Sequence, residues 1–214
     1  MNYLTSIIRF FILIGISTPV YLHAQVEVQI IDQKGDPLED ATLVLTPLFD
    51  FDLPAPEETS ISQIDQEFVP RVKVVQSGAN IYFPNQDEIR HHVYSFSAAK
   101  QFDIPLYSGT PQAPIIFNQS GLVELGCNIH DQMRGYILVA DTPYFGVSDI
   151  NGLITTSPEL EGRYELSLWH PEQSEQLPPI EITLGSDLNY QNSFQIPTAA
   201  FFAPRRGSSG NSYF

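Results

Sequence analysis

The chain has 214 residues, 43% of them hydrophobic and 12% aromatic, enough for one large or two small folded domains. It carries 10 Lys+Arg against 25 Asp+Glu, a formal charge of −15. Such an acidic surface repels nucleic-acid phosphates and anionic lipid, which excludes both as expected partners and favours basic protein surfaces.

Residues 1–24 read as a secretory signal peptide. A short start whose only charged residue is Arg9 precedes the apolar run Phe10-Phe11-Ile12-Leu13-Ile14-Gly15-Ile16, and Pro19 and Ala24 lead into polar sequence at Gln25. The run falls short of the roughly 20 apolar residues of a membrane-spanning helix, so no membrane insertion is expected after cleavage. The segment places the protein in the periplasm or outside the cell.

After residue 25 the apolar residues alternate or cluster in short β-branched runs. Strands are expected at Val26–Ile31, Ala41–Leu45, Arg71–Val75, Asn80–Phe83, His92–Phe96, Gly121–Leu125, Gly135–Val139, Tyr164–Trp169 and Ile180–Leu184. Turn sequences such as Lys34-Gly35-Asp36-Pro37, Ser77-Gly78 and Asn151-Gly152 divide them, and the chain holds 17 prolines. This pattern predicts an all-β protein of the sandwich or barrel kind. The proline- and acid-rich stretch 47–60 reads as a linker, and the aperiodic tail 203–214 as disordered.

Export makes the single cysteine, Cys127, informative. Cysteines in an oxidising compartment usually pair, and this one has nothing in the chain to pair with. It opens the segment Cys127-Asn128-Ile129-His130-Asp131-Gln132-Met133, read as a loop between two strands. Thiolate and imidazole together select copper or zinc, and a thioether is a poor zinc ligand but a common weak axial ligand of copper. A second imidazole is needed from elsewhere. His23 lies in the signal segment, leaving His91, His92 and His170; His170, beside Trp169, has no ligand partner nearby in sequence and reads as structural. Asp87, Glu88 and Asp131 read as solvated loop acids.

The region 60–141 resembles the cupredoxins, and among them amicyanin. The resemblance rests on the C-x2-H-x2-M spacing, on Met133-Arg134-Gly135 leading into a last strand, on Phe117 and Gly121 before the cysteine strand, and on Asn85 ahead of His91. The segments RHHVYSFS and LGCNIHDQMRGYI also resemble those of bacterial proteins labelled methylamine utilisation proteins. The resemblance implies a Greek-key β-sandwich with one type 1 copper ion held by His91, Cys127, His130 and Met133. Relatives carry asparagine or a small polar residue where this chain has His92. That leaves three readings of His92: a residue tying the ligand loops together, a surface residue, or the ligand itself. Residues 25–48 and 142–187 look like two parts of a carboxypeptidase-regulatory-like or prealbumin-like β-module, split by the inserted domain. The rival reading gives 26–48 to the cupredoxin sandwich.

The function implied is that of an exported blue copper protein, a one-electron carrier and not an enzyme. Its partners would be a redox donor and acceptor, such as a cytochrome or a dehydrogenase. Multicopper catalysis needs more histidines than remain, and a dinuclear copper site needs two cysteines. The alternative is a copper-binding, copper-delivery or structural β-module without redox cycling.

Overall fold

The computed structural model describes residues 25–111, 113–185 and 189–199, so the signal-peptide and tail readings fall outside the described residues. Among the described residues there is no helix, and the protein is all-β. Its strands are β1 (Gln25–Ile31), β2 (Thr42–Pro47), β3 (Glu58–Ser60), β4 (Ser62–Ile64), β5 (Glu67–Val69) and β6 (Val72–Gln76). There follow β7 (Ala79–Tyr82), β8 (His91–Ser97), β9 (Lys100–Tyr107), β10 (Ile115–Phe117), β11 (Gly121–Cys127) and β12 (His130–Ala140). The last are β13 (Phe145–Val147), β14 (Leu153–Thr156), β15 (Gly162–Trp169), β16 (Ile180–Leu184) and β17 (Asn189–Gln195).

Sheet pairing sorts these strands into two sandwiches. In the inner part of the chain, β6-β12-β11-β8-β9 form one sheet and β10-β7-β3 the other. Between them lies a core that includes Ile81, Phe83, Val93, Phe117, Val123, Leu125 and Ile137, together with Cys127 and Met133. The two ends of the chain build the second sandwich from β14-β1-β17 and β13-β2-β15-β16. In β1 the strand period of two puts Val26, Val28 and Ile30 at 0% exposure, facing Leu43, Leu45, Tyr164 and Leu166 across the core. Each such buried side chain contributes about 1.5–3 kcal/mol of transfer free energy. Residues 25–47 thus pair with strands late in the chain, not with the β6–β12 sheet.

The sandwiches meet through Val44, Val74 and Ala140, with Leu138, Phe145 and Val147 packed around them. Beside this apolar patch Arg71 donates to Glu172 (2.8 Å) and lies 3.7 Å from Asp40, with its guanidinium 6.0 Å from the centre of the Tyr136 ring. Tyr136 in turn sits 5.4 Å from Trp169 of the flanking sandwich.

Several strands escape the sequence pattern. The edge strand β9 contains Pro105, which an edge tolerates because one row of its backbone groups needs no partner. The polar strand β17, sequence NYQNSFQ, is held by parallel pairing to β1 and extends the flanking sandwich past residue 187. The stretch read as a linker ends in β3, which pairs with β7.

Tyr164 anchors the flanking core, its hydroxyl donating to the Leu160 carbonyl at 2.6 Å. Burial, then the nearby Tyr144, pushes its pKa up from the ordinary 10.0 to about 12. The fold therefore favours the neutral phenol. Its contribution is complete below pH 10 and is lost as pH rises toward about 12. Urea midpoints measured across this range are expected to fall more steeply for the wild type than for Tyr164→Phe.

Candidate metal centre

Neighbouring strands converge on Cys127 at one end of the central sheet. Strand β8 starts at His91 and alternates, so that His91, Val93 and Ser95 are buried (0–1% exposed) while Phe96 on the opposite face is 79% exposed. The two adjacent histidines face opposite ways, and the register shift between His91 and Val93 leaves this alternation intact. His91 turns into the core; His92 turns outward, where its Nε2 meets Asp103 Oδ1 at 2.9 Å and its ring packs 5.3 Å from Tyr94.

Strand β11 ends at Cys127, Asn128 and Ile129 make the turn, and β12 begins at His130. The ligand segment is therefore not a loop throughout. Cys127 pairs with His130 across a register shift, and Met133 already lies inside β12, since two residues suffice to reverse the chain.

Cys127 Sγ lies 3.8 Å from His91 Nδ1 and 3.9 Å from His130 Nδ1. All three donor atoms lie within 4.8 Å of one another, and the two imidazole centres are 5.1 Å apart. Metal–sulfur and metal–nitrogen bonds of about 2.3 and 2.05 Å, opened to 110–120°, put sulfur and nitrogen about 3.6–3.8 Å apart. The donor set thus fits one ion of that size. A thiol and two imidazoles suit copper or zinc and disfavour magnesium or calcium. Met133 is 1% exposed and shares the core cluster with Cys127. His170 is absent from the three-donor group; its Nε2 contacts the Glu39 carbonyl at 3.0 Å.

Asp87, read from sequence as a solvated acid, belongs to the site. Its Oδ2 is 2.6 Å from His91 Nε2. A carboxylate can only accept, so Nε2 carries the proton, and in the neutral imidazole, the form that binds a metal, the Nδ1 lone pair faces Cys127. Carboxylates behind metal-binding histidines commonly fix the ring and its tautomer in this way. Burial alone would raise the Asp87 pKa. The bonds from the Gln66 N–H, His91 and the Asp65 N–H outweigh burial and hold it below the usual carboxylate value.

Asn85 shapes the loop between β7 and His91. It is 5% exposed; its amide donates to the Ile89 and Tyr107 carbonyls at 2.8 and 2.9 Å, and its oxygen accepts the Asp87 N–H at 2.9 Å. The sequence offers one signal for Asp87, a carboxylate four residues before a histidine. The donors that aim it come from residues 65 and 66, and no local pattern brings those there.

Changing His92 to asparagine is expected to leave copper stoichiometry and affinity unaltered, whereas His91→Ala removes one of the three donors and abolishes tight binding. Titration of the metal-free variants with copper separates the two outcomes.

No protein-family model matches this chain, and no curated protein matches it by sequence. Among solved structures, a copper-containing nitrite reductase from Thermus scotoductus SA-01 aligns at 22% identity and a TM-score of 0.36, over 44% of this chain and 25% of that one. A purple cupredoxin from Nitrosopumilus maritimus aligns at 17% identity and 0.35, over 38% and 99%. A Cu(I) amicyanin variant aligns at 14% identity and 0.35, over 46% and 98%. These overlaps are partial and distant.

Proposed function

We propose that this chain is an exported copper protein that carries single electrons between redox proteins, with His91, Cys127 and His130 as equatorial ligands and Met133 as a weak axial one. The observation that carries the reading is the spacing of the three donors around Cys127 Sγ, 3.8 and 3.9 Å to the two Nδ1 atoms. When bound, copper supplies a one-electron couple, Cu(I)/Cu(II).

The chain's own residues fit that task. Cys127 and His91 are buried and held by the sheet, so the donors have little room to move when the charge at the site changes. Asp87 keeps the His91 lone pair aimed at the site. His130, the donor that is not fully buried, offers the edge at which a partner approaches closest. The flanking turn exposes Ile129 (46%), and the chain's formal charge of −15 favours a partner with a basic face. A cytochrome or a dehydrogenase meets that description, and the signal-peptide-like sequence of residues 1–24 supports an encounter in the periplasm or outside the cell. In this role the protein is a carrier and not an enzyme.

A potentiometric titration of the copper-loaded protein tests the carrier reading. A single reversible one-electron step with the metal retained is the expected result. Loss of copper to an acceptor protein without a change in oxidation state would favour copper delivery instead.

A further inference from the structure

We propose that the two-residue turn Asp65–Gln66 positions His91, acting through Asp87, and so tunes how strongly this site prefers Cu(II) over Cu(I). The inference rests on the copper reading above and assigns a role to a hairpin whose side chains are not among the donors.

The turn joins β4 to β5, whose register pairs Ile64 with Glu67, leaving Asp65 and Gln66 as the loop. Both have positive φ, 53° and 61°. That is the geometry of a type I′ hairpin, which favours Asn-Gly and is unfavourable for a side chain as long as glutamine. A local rule broken in this way marks a place where something other than local preference decides. Here it turns two successive N–H groups toward one anion. Asp65 N–H donates to Asp87 Oδ1 at 2.7 Å and Gln66 N–H to Oδ2 at 3.0 Å. The same Oδ2 accepts from His91 Nε2 at 2.6 Å. Three donors from two distant stretches fix one carboxylate, so a shift of the turn reaches the imidazole directly.

The hairpin is itself strapped to the ligand loop. Gln63 N–H donates to the Pro84 carbonyl (2.8 Å) and the Gln86 N–H to the Gln63 carbonyl (2.9 Å). The buried Gln63 side chain adds bonds to the Phe83 carbonyl and the Tyr107 hydroxyl. Its other strand places Phe68 over Gly135, where an added Cβ would come within 2.9 Å of Phe68 Cβ, two residues past Met133. One hairpin thus braces the loop before His91 and the strand that carries His130 and Met133.

A carboxylate behind an imidazole strengthens it as a donor, which favours the more highly charged ion. Gln66→Pro deletes one of the three donors to Asp87 and forbids the positive φ. Gln66→Val keeps the N–H but strains the turn, and serves if the proline variant fails to fold. The pair Asp65→Asn with Gln66→Gly keeps the turn with residues that prefer it. Two readouts are taken. In the metal-free protein, nitrogen NMR of the His91 ring gives the fraction protonated at Nε2. In the copper-loaded protein, the reduction potential is measured.

The proline or valine variant is expected to lower the Nε2-protonated fraction and raise the potential while the visible absorption survives. A tenfold selective loss of Cu(II) affinity corresponds to about 59 mV. The Asn-Gly pair is expected to match wild type in both. Wild-type tautomer and potential in a folded proline or valine variant would overturn the proposal. A wild-type protein that binds no copper would instead overturn the copper reading, and the metal-free NMR would still decide whether the turn positions His91.

Discussion

Replacing Cys127 by serine is expected to abolish the intense visible absorption of the Cu(II)-loaded protein and to weaken copper binding by orders of magnitude. The strong colour of such a centre requires a thiolate bonded to Cu(II), and Cys127 is the only cysteine in the chain. Serine is nearly the same size, so the 3%-exposed position loses little packing; burying a hydroxyl there costs about 1–3 kcal/mol. Far-ultraviolet circular dichroism of the metal-free variant should therefore match the wild type. A serine variant that keeps the colour would place the metal elsewhere.

Asp87→Asn is expected to lower copper affinity by about 10–100-fold, the usual cost of losing a partner behind a metal-binding histidine. An amide offers one acceptor oxygen where the carboxylate offers two. Three donors (the Asp65 and Gln66 N–H groups and His91 Nε2–H) then compete for it, and the new NH2 faces at least one of them. Competition against a chelator of known affinity measures the change. Unaltered affinity would mean that His91 needs no help to stay in place. Because the ligand atoms themselves are untouched, the visible band should weaken or shift without vanishing, which distinguishes this variant from Cys127→Ser.

The part of the site nearest the cysteine was legible because its members are neighbours in sequence. Cys127 and His130 straddle one turn, and a lone cysteine in a chain whose first 24 residues read as a signal peptide already asks for an explanation. The choice between His91 and His92 was not legible. Strand parity turns His91 and not His92 toward Cys127, and parity depends on where β8 begins and on the register shift between His91 and Val93. Asp87 was hidden for a different reason, since its role comes from amides some twenty residues earlier that only the tertiary fold brings to it.

The same division holds for the fold. Strands with buried alternation, such as β1 and β15, stand out because one face must be apolar. Strands held mainly by edge pairing do not. β17 is largely polar, β9 carries a proline, and β3, β4 and β5 are three residues each, too short for any period to show. The β4–β5 hairpin is the case that matters most, because its unpatterned turn reaches the histidine site.

Cys127, His91 and His130 are proposed to hold one copper ion that changes oxidation state in place. The direct test is the visible absorption spectrum of the wild-type protein with one equivalent of Cu(II), before and after reductant and again after reoxidation. The expected result is an intense thiolate-to-copper band that saturates at one equivalent, bleaches on reduction and returns on reoxidation. Weak absorption typical of copper bound by nitrogen and oxygen alone, or a band that never returns, would contradict it.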